Sequence, residues 1–179
     1  MIGEYRTGNF RVQFLAEDIV RIEYAEGAQF CDEETLFVPA RDFEGGAQFT
    51  AAEARGGTRL AFGAYELFLP RGRRGVRGVV LSREDRAVYR CRELSNTGEL
   101  PPPAKTPEVF ALADTPRIRI PAGGYTYRGE LKNSGYRIER EACDIYLLLC
   151  GRDAKKLRRL YVRLTGRCPL VRLSVLGAW

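Results

Sequence analysis

Apolar residues recur at every second position in runs such as Phe10-Arg-Val-Gln-Phe-Leu15, Ile19-Val-Arg-Ile-Glu-Tyr24, Tyr65-Glu-Leu-Phe-Leu69 and Val79-Val-Leu81. A period of two is that of a β-strand, whose successive side chains point to opposite faces of a sheet. Shorter runs predict further strands over 86–94, 109–112, 117–120, 136–139 and 144–150. Turn residues separate them, at Glu26-Gly27, Gly45-Gly46, Gly56-Gly57, the glycine-rich stretch 72–78 and Gly123-Gly124. Many short strands with little helix between them predict an all-β fold, an antiparallel β-sandwich rather than an α/β sheet. The period changes once. Ala154, Leu157, Leu160, Tyr161 and Leu164 fall on one face of a helix, with Asp153 as N-cap and Gly166 as stop. Beyond Cys168-Pro169 the run Leu170-Val-Arg-Leu-Ser-Val-Leu176 reads as another strand leading into Trp179. The expected organisation is a sandwich over 1–151, a connector helix over 152–167 and a final strand over 168–179. Natural ends usually lie in solvated segments, so an end inside a strand carries the expectation of a truncated chain.

A chain of 179 residues, 45% hydrophobic, can bury one substantial core. Its five cysteines are odd in number, widely spaced and without a C-x-x-C pair, and are expected to be reduced, mostly buried thiols. Histidine is absent, which removes Ser-His and Cys-His nucleophile activation and histidine metal sites. The polar start lacks a secretory pattern, and no apolar run approaches a membrane span, so a soluble cytoplasmic protein is expected. The net charge of +6 resides between Arg152 and Arg167. There Arg152, Lys155, Lys156, Arg158, Arg159, Arg163 and Arg167 face a single acid, Asp153. That helix face could grip phosphate backbones. Without a recognisable nucleic-acid motif, the preferred reading is a solvated face or one docked on an acidic partner, and no nucleic acid or membrane partner is expected.

Gly72-Arg-Arg-Gly-Val-Arg-Gly78 offers arginines and glycines that suit an anion, but lacks the phosphate-loop order and a following helix; a hairpin connection is preferred. The close carboxylates Glu17/Asp18, Asp32/Glu33/Glu34 and Glu139/Glu141 sit in polar turns or on alternating strands, and no catalytic pair is assigned. No metal site and no cofactor is expected. Tyr125, Tyr127 and Tyr136 flank glycine-rich turns and could stack on sugar rings, against the alternative that they pack strands. The stretch 95–108 holds four prolines, which exclude a central strand and predict a long, stiff, exposed loop.

Two sets of residues resemble glycoside hydrolase family 31, the α-glucosidases and α-xylosidases. Phe10-Arg-Val-Gln-Phe-Leu-Ala-Glu-Asp-Ile-Val-Arg-Ile-Glu-Tyr24, then Gln29-Phe-Cys-Asp-Glu-Glu-Thr35 and Pro39-Ala-Arg41, is similar to that family's opening. Asp144-Ile-Tyr-Leu-Leu-Leu-Cys-Gly-Arg-Asp153 through Leu164-Thr-Gly166 is similar to its strand, helix and connector, and 169–179 to the lead into barrel strand one. The resemblance implies a galactose-mutarotase-like supersandwich packed on a catalytic (β/α)8 barrel that is missing here. It implies a retaining α-glycosidase whose two catalytic carboxylates lie beyond this chain, so that the chain alone hydrolyses nothing. The partners implied are the barrel of the same polypeptide and an α-linked oligosaccharide. A loop of the sandwich is expected to reach the substrate rim; the candidates are 95–108, with Asn96 and Glu99, and the turn at Asp114-Thr-Pro116, together with Tyr125 and Tyr127. Leu173 and Trp179 would be barrel-facing, and their exposure predicts self-association. The alternative, of a different class, is a stand-alone carbohydrate-binding or protein-interaction sandwich.

Overall fold

A computed structural model describes residues 3–32, 35, 37–39, 43, 45–91, 100–114, 117–119, 137–139 and 142–167, with the backbone alone at 117–119, 137–139, 142 and 143. Among these, twelve strands and one α-helix form: β1 (Gly3–Thr7), β2 (Phe10–Ala16), β3 (Ile19–Ala25), β4 (Thr50–Ala54), β5 (Gly57–Phe62), β6 (Tyr65–Pro70), β7 (Val80–Arg83), β8 (Arg86–Arg90), β9 (Phe110–Ala113), β10 (Arg117–Arg119), β11 (Arg137–Glu139), β12 (Ala142–Leu148) and α1 (Ala154–Thr165). They build two five-stranded antiparallel sheets, ordered β1-β2-β3-β12-β9 and β4-β5-β6-β7-β8, with a separate β10-β11 ribbon. The fold is an all-β sandwich with one C-terminal helix. No helix among the described residues is long and apolar enough to cross a membrane.

The sheets meet through the inward residues of each strand. Phe10, Val12 and Phe14 of β2, Val20, Ile22 and Tyr24 of β3, and Ile145 and Leu147 of β12 pack on Leu60, Phe62, Leu67, Leu69 and Leu81 of the second sheet. Phe14 lies at the middle, its ring centroid 4.8 Å from both Phe49 and Phe62. Removing such side chains from water drives the closure, at about 1.5–3 kcal/mol for each large apolar residue. Turn chemistry sets the registers. The β7–β8 hairpin turns on Glu84 and Asp85, both at positive φ (50° and 60°) as mirror-image hairpin turns require. Gly46 is required for a different reason: a Cβ there would stand 2.2 Å from the Phe14 carbonyl oxygen and 2.7 Å from the Gly3 nitrogen.

The first sheet is covered on its other face too, by two different materials. Leu15, Ile19, Leu112, Tyr146 and Leu148 form an apolar patch under α1, which buries Leu157, Leu160 and Leu164 against it. Asp153 caps the helix, accepting from the backbone N–H groups of Lys155 at 2.8 Å and Lys156 at 3.0 Å, and Gly166 ends it at φ 80°. The other end of that face is charged and lies under residues 30–32.

Most expected strands are present, with end shifts of a residue or two. The run expected over 86–94 is strand to Arg90, and its last residues lie outside the described ones. The final strand expected over 170–176 is also outside them. β1, β4 and β5 are additional. β4, Thr50-Ala-Ala-Glu-Ala54, carries almost no branched or aromatic residue and is strand through its pairing with β5. Residues 95–99 of the proline-rich stretch lie outside the described ones, and the rest is only partly the exposed loop expected. Pro102 to Lys105 are exposed around a single 3-10 turn, whereas Thr106 is buried and the carbonyls of Pro107 and Glu108 accept from Arg152 N–H at 3.1 Å and Gly151 N–H at 2.8 Å.

Candidate functional site

The charged end of the outer face is built row by row. Strand pairing sets Arg11 opposite Glu23 and Glu23 opposite Asp144; one row along, Gln13 is opposite Arg21 and Arg21 opposite Tyr146. Because partners in register share a face, these residues project together to the side away from the sandwich core. All are buried, Glu23 and Asp144 completely. The Arg21 guanidinium donates to Asp144 Oδ1 at 2.9 Å and Oδ2 at 2.8 Å, and to Gln13 Oε1 at 2.8 Å. Arg11 donates through Nε to Glu23 Oε2 at 2.8 Å.

Residues 30–32 are clamped onto this row. The Cys31 carbonyl accepts from Arg21 at 2.7 Å and Arg11 at 3.0 Å, while the Cys31 N–H donates to Glu23 Oε1 at 3.0 Å. Asp32 takes the Arg11 fork on both oxygens, 2.8 Å each, and Arg21 at 3.1 Å. Phe30 lies beside the Arg6 and Arg11 guanidiniums, 5.6 and 5.2 Å from its ring centroid. Burial works against the charge on Arg21 but is outweighed by Asp144, with Tyr146 and Glu23 adding, so its pKa is raised. Burial alone would raise the Asp32 carboxyl, but the hydrogen bond and charge of Arg11, then Arg21, hold it below the usual carboxylate range. A carboxylate kept ionised by two guanidiniums is a poor proton donor near neutral pH. The arrangement works as an electrostatic clamp, fixing residues 30–32 to the sheet.

A second clamp lies alongside. Asp114, expected at a substrate rim, is fully buried; its carboxylate accepts from Thr35 Oγ1 at 2.5 Å, and its N–H donates to the Asp144 carbonyl at 2.7 Å. Thr35 in turn accepts from Val38 N–H at 3.1 Å and donates its own N–H to the Val38 carbonyl at 3.1 Å. Asp114 thus anchors Thr35 and, through it, Val38. Asn96, Glu99, Tyr125 and Tyr127 lie outside the described residues.

No family model matches the chain, and a search of curated proteins finds no match.

Of the close carboxylates, Asp32 belongs to the clamp and Asp18 pairs with Lys156 at 3.1 Å. On the cationic face of α1, Lys155, Arg158, Arg159, Arg163 and Arg167 are exposed in the chain, with Arg163 5.7 Å from the Phe43 ring centroid. Cys31, Cys91 and Cys150 are buried thiols. Burial raises the pKa of Cys150, which donates to the Pro107 carbonyl at 3.0 Å. Among the described residues no three His, Cys, Asp or Glu side chains cluster so as to hold a metal ion.

The network of Arg11, Arg21, Glu23 and Asp144 escaped sequence reasoning. Alternation marks a polar residue as facing away from the core without saying what covers it. The available signal was charge balance: two arginines and two acids at outward positions of strands that become neighbours.

Proposed function

We propose that the chain is the non-catalytic N-terminal sandwich of a retaining α-glycosidase of the glycoside hydrolase family 31 type, acting in the cytoplasm. Its part is to support a (β/α)8 barrel of the same polypeptide and to help shape the site for an α-linked glycoside. One observation carries this reading: the separate stretches that resemble the family converge on one structural unit. Arg21 and Glu23 from the first stretch, Phe30 and Asp32 from the second, and Asp144 from the third meet in the buried clamp. The third stretch then leads through α1 towards 168–179. That the three stretches pack together in one unit supports reading them as a single resemblance rather than three separate ones.

The sandwich in this reading is a rigid platform. Two covered faces on one sheet fix the position of α1, and α1 fixes where the chain departs towards the barrel. Titration of the isolated chain with maltotriose by calorimetry, together with an assay on p-nitrophenyl α-glucoside, tests this. A supporting module shows no turnover and no saturable binding at millimolar sugar. Tight, stoichiometric maltotriose binding would favour a stand-alone carbohydrate-binding sandwich instead.

A further inference from the structure

At one end of the sandwich the β1–β2 turn, the chain leaving β3 and the β6–β7 connection line an open cleft of about 650 Å³. That is the size of a small-molecule site. Its location is separate from the Arg11–Arg21 clamp and from the cationic face of α1.

The β6–β7 connection is the arginine- and glycine-rich stretch that sequence reasoning treated as a hairpin, and it does join two paired antiparallel strands. Its anchoring is asymmetric. Arg71 N–H donates to the Gly56 carbonyl at 2.8 Å, and Val76 is buried in the core and closes a turn by accepting from Val79 N–H at 3.2 Å. Between these anchors the segment from Arg71 to Arg74 stands exposed at the cleft, with Gly72 at φ 72° and Gly75 at φ 69° allowing the arc.

Three arginines therefore line the cleft against one acid, Glu26. They are not equally engaged. Arg71 is tied to Glu53, whereas Arg74 is 91% exposed and 3.6 Å from Glu26, a contact loose enough to exchange. Arg73 makes no ion pair with any described residue. Two arginines consecutive in the chain at the rim of an open cleft suit the three acceptor oxygens of a phosphate group. The opposite side has different chemistry. Asn9 presents a side-chain amide 3.5 Å from the Tyr24 hydroxyl, Glu26 a carboxylate, and Phe10 and Tyr24 form an edge-to-face aromatic floor with centroids 5.3 Å apart. Amide, carboxylate and aromatic edge are groups that hold a hydroxylated ring.

We propose that this cleft binds a small phosphorylated sugar, its phosphate on Arg73 and Arg74 and its ring hydroxyls on Asn9 and Glu26. A long polyanion would find the longer run of positive charge on α1. The proposal stands whether or not the chain belongs to a glycosidase.

Titration of the isotope-labelled chain with glucose 6-phosphate, followed by amide NMR, tests it. Saturable shifts at Gly8, Asn9, Gly27 and Gly72 to Gly75 are expected, with a dissociation constant on the order of 1 mM or below. Glucose alone at the same concentration leaves these amides unmoved. The double variant R73A/R74A, at exposed positions that the core does not use, weakens binding about tenfold or more with the rest of the spectrum preserved. Three outcomes would overturn the proposal: shifts centred on α1, a titration unchanged in the double variant, or inorganic phosphate binding as tightly as the sugar phosphate.

Discussion

Replacing Arg21 by Met removes the centre of the clamp while keeping an unbranched side chain of comparable length. Arg21 is 1% exposed and donates to Asp144, Gln13, Asp32 and the Cys31 carbonyl. These losses are unequal. Asp32 is 65% exposed and keeps the Arg11 fork, and the Cys31 carbonyl keeps Arg11 at 3.0 Å, so water and Arg11 make good most of both. Asp144 is different: it is completely buried and loses all three of its hydrogen bonds from Arg21. Removing one partner of a buried ion pair costs about 3–5 kcal/mol, a large part of the ~5–15 kcal/mol by which a domain is usually stable. Urea unfolding followed by far-UV circular dichroism reads this as a fall in midpoint of roughly 2 M, from a slope of about 1–3 kcal/mol per molar. The double variant Arg21→Met/Asp144→Leu removes both charges and should recover most of the loss, since apolar replacement of a whole buried pair is often neutral. A single variant within about 1 kcal/mol of the parent, or a double variant no better than the single, would refute the assignment of the cost to Asp144.

Three further outcomes are expected. Gly46→Ala places a Cβ against the Phe14 carbonyl, and should destabilise by about 1–3 kcal/mol in the same urea assay. Asp32 has a depressed folded pKa, so its contribution is fully present above the unfolded value of about 3.9 and is lost as pH falls through the lower folded value. In Asp32→Asn the acid limb of a stability–pH curve should flatten, and an unchanged limb would remove Asp32 from the clamp. Leu157, 1% exposed beneath α1, should cost about 2–5 kcal/mol when cut to Ala, with amide exchange accelerating across the helix as well as globally.

The fold was legible where one physical cause dominates locally. β2 and β3 announce themselves because inward residues such as Val12 and Ile22 alternate with Arg11, Gln13, Arg21 and Glu23, whereas β6 and β12 do so as short apolar runs, Leu67 standing beside Phe68 and Leu147 between Tyr146 and Leu148. α1 announces itself by a change of period and by its cap. β4 did not, because Thr50-Ala-Ala-Glu-Ala54 is strand only through its partner. Nor did the clamp, because alternation at Arg11, Arg21 and Glu23 reads the same whether the outer face meets water or residues 30–32. Asp114 illustrates the limit for sites: a carboxylate beside a proline-containing turn reads as exposed, and only the packing of Thr35 over it shows that it is buried.

The central claim is that this sandwich belongs to a larger glycosidase, and the most direct measurement is the mass of the native polypeptide with its coding frame read past Trp179. In a glycosidase of this type the frame continues for several hundred residues through barrel strands that carry two catalytic carboxylates, and the whole protein has α-glycosidase activity. A stop codon directly after Trp179, with a native mass equal to the 20.2 kDa of this chain, would contradict it.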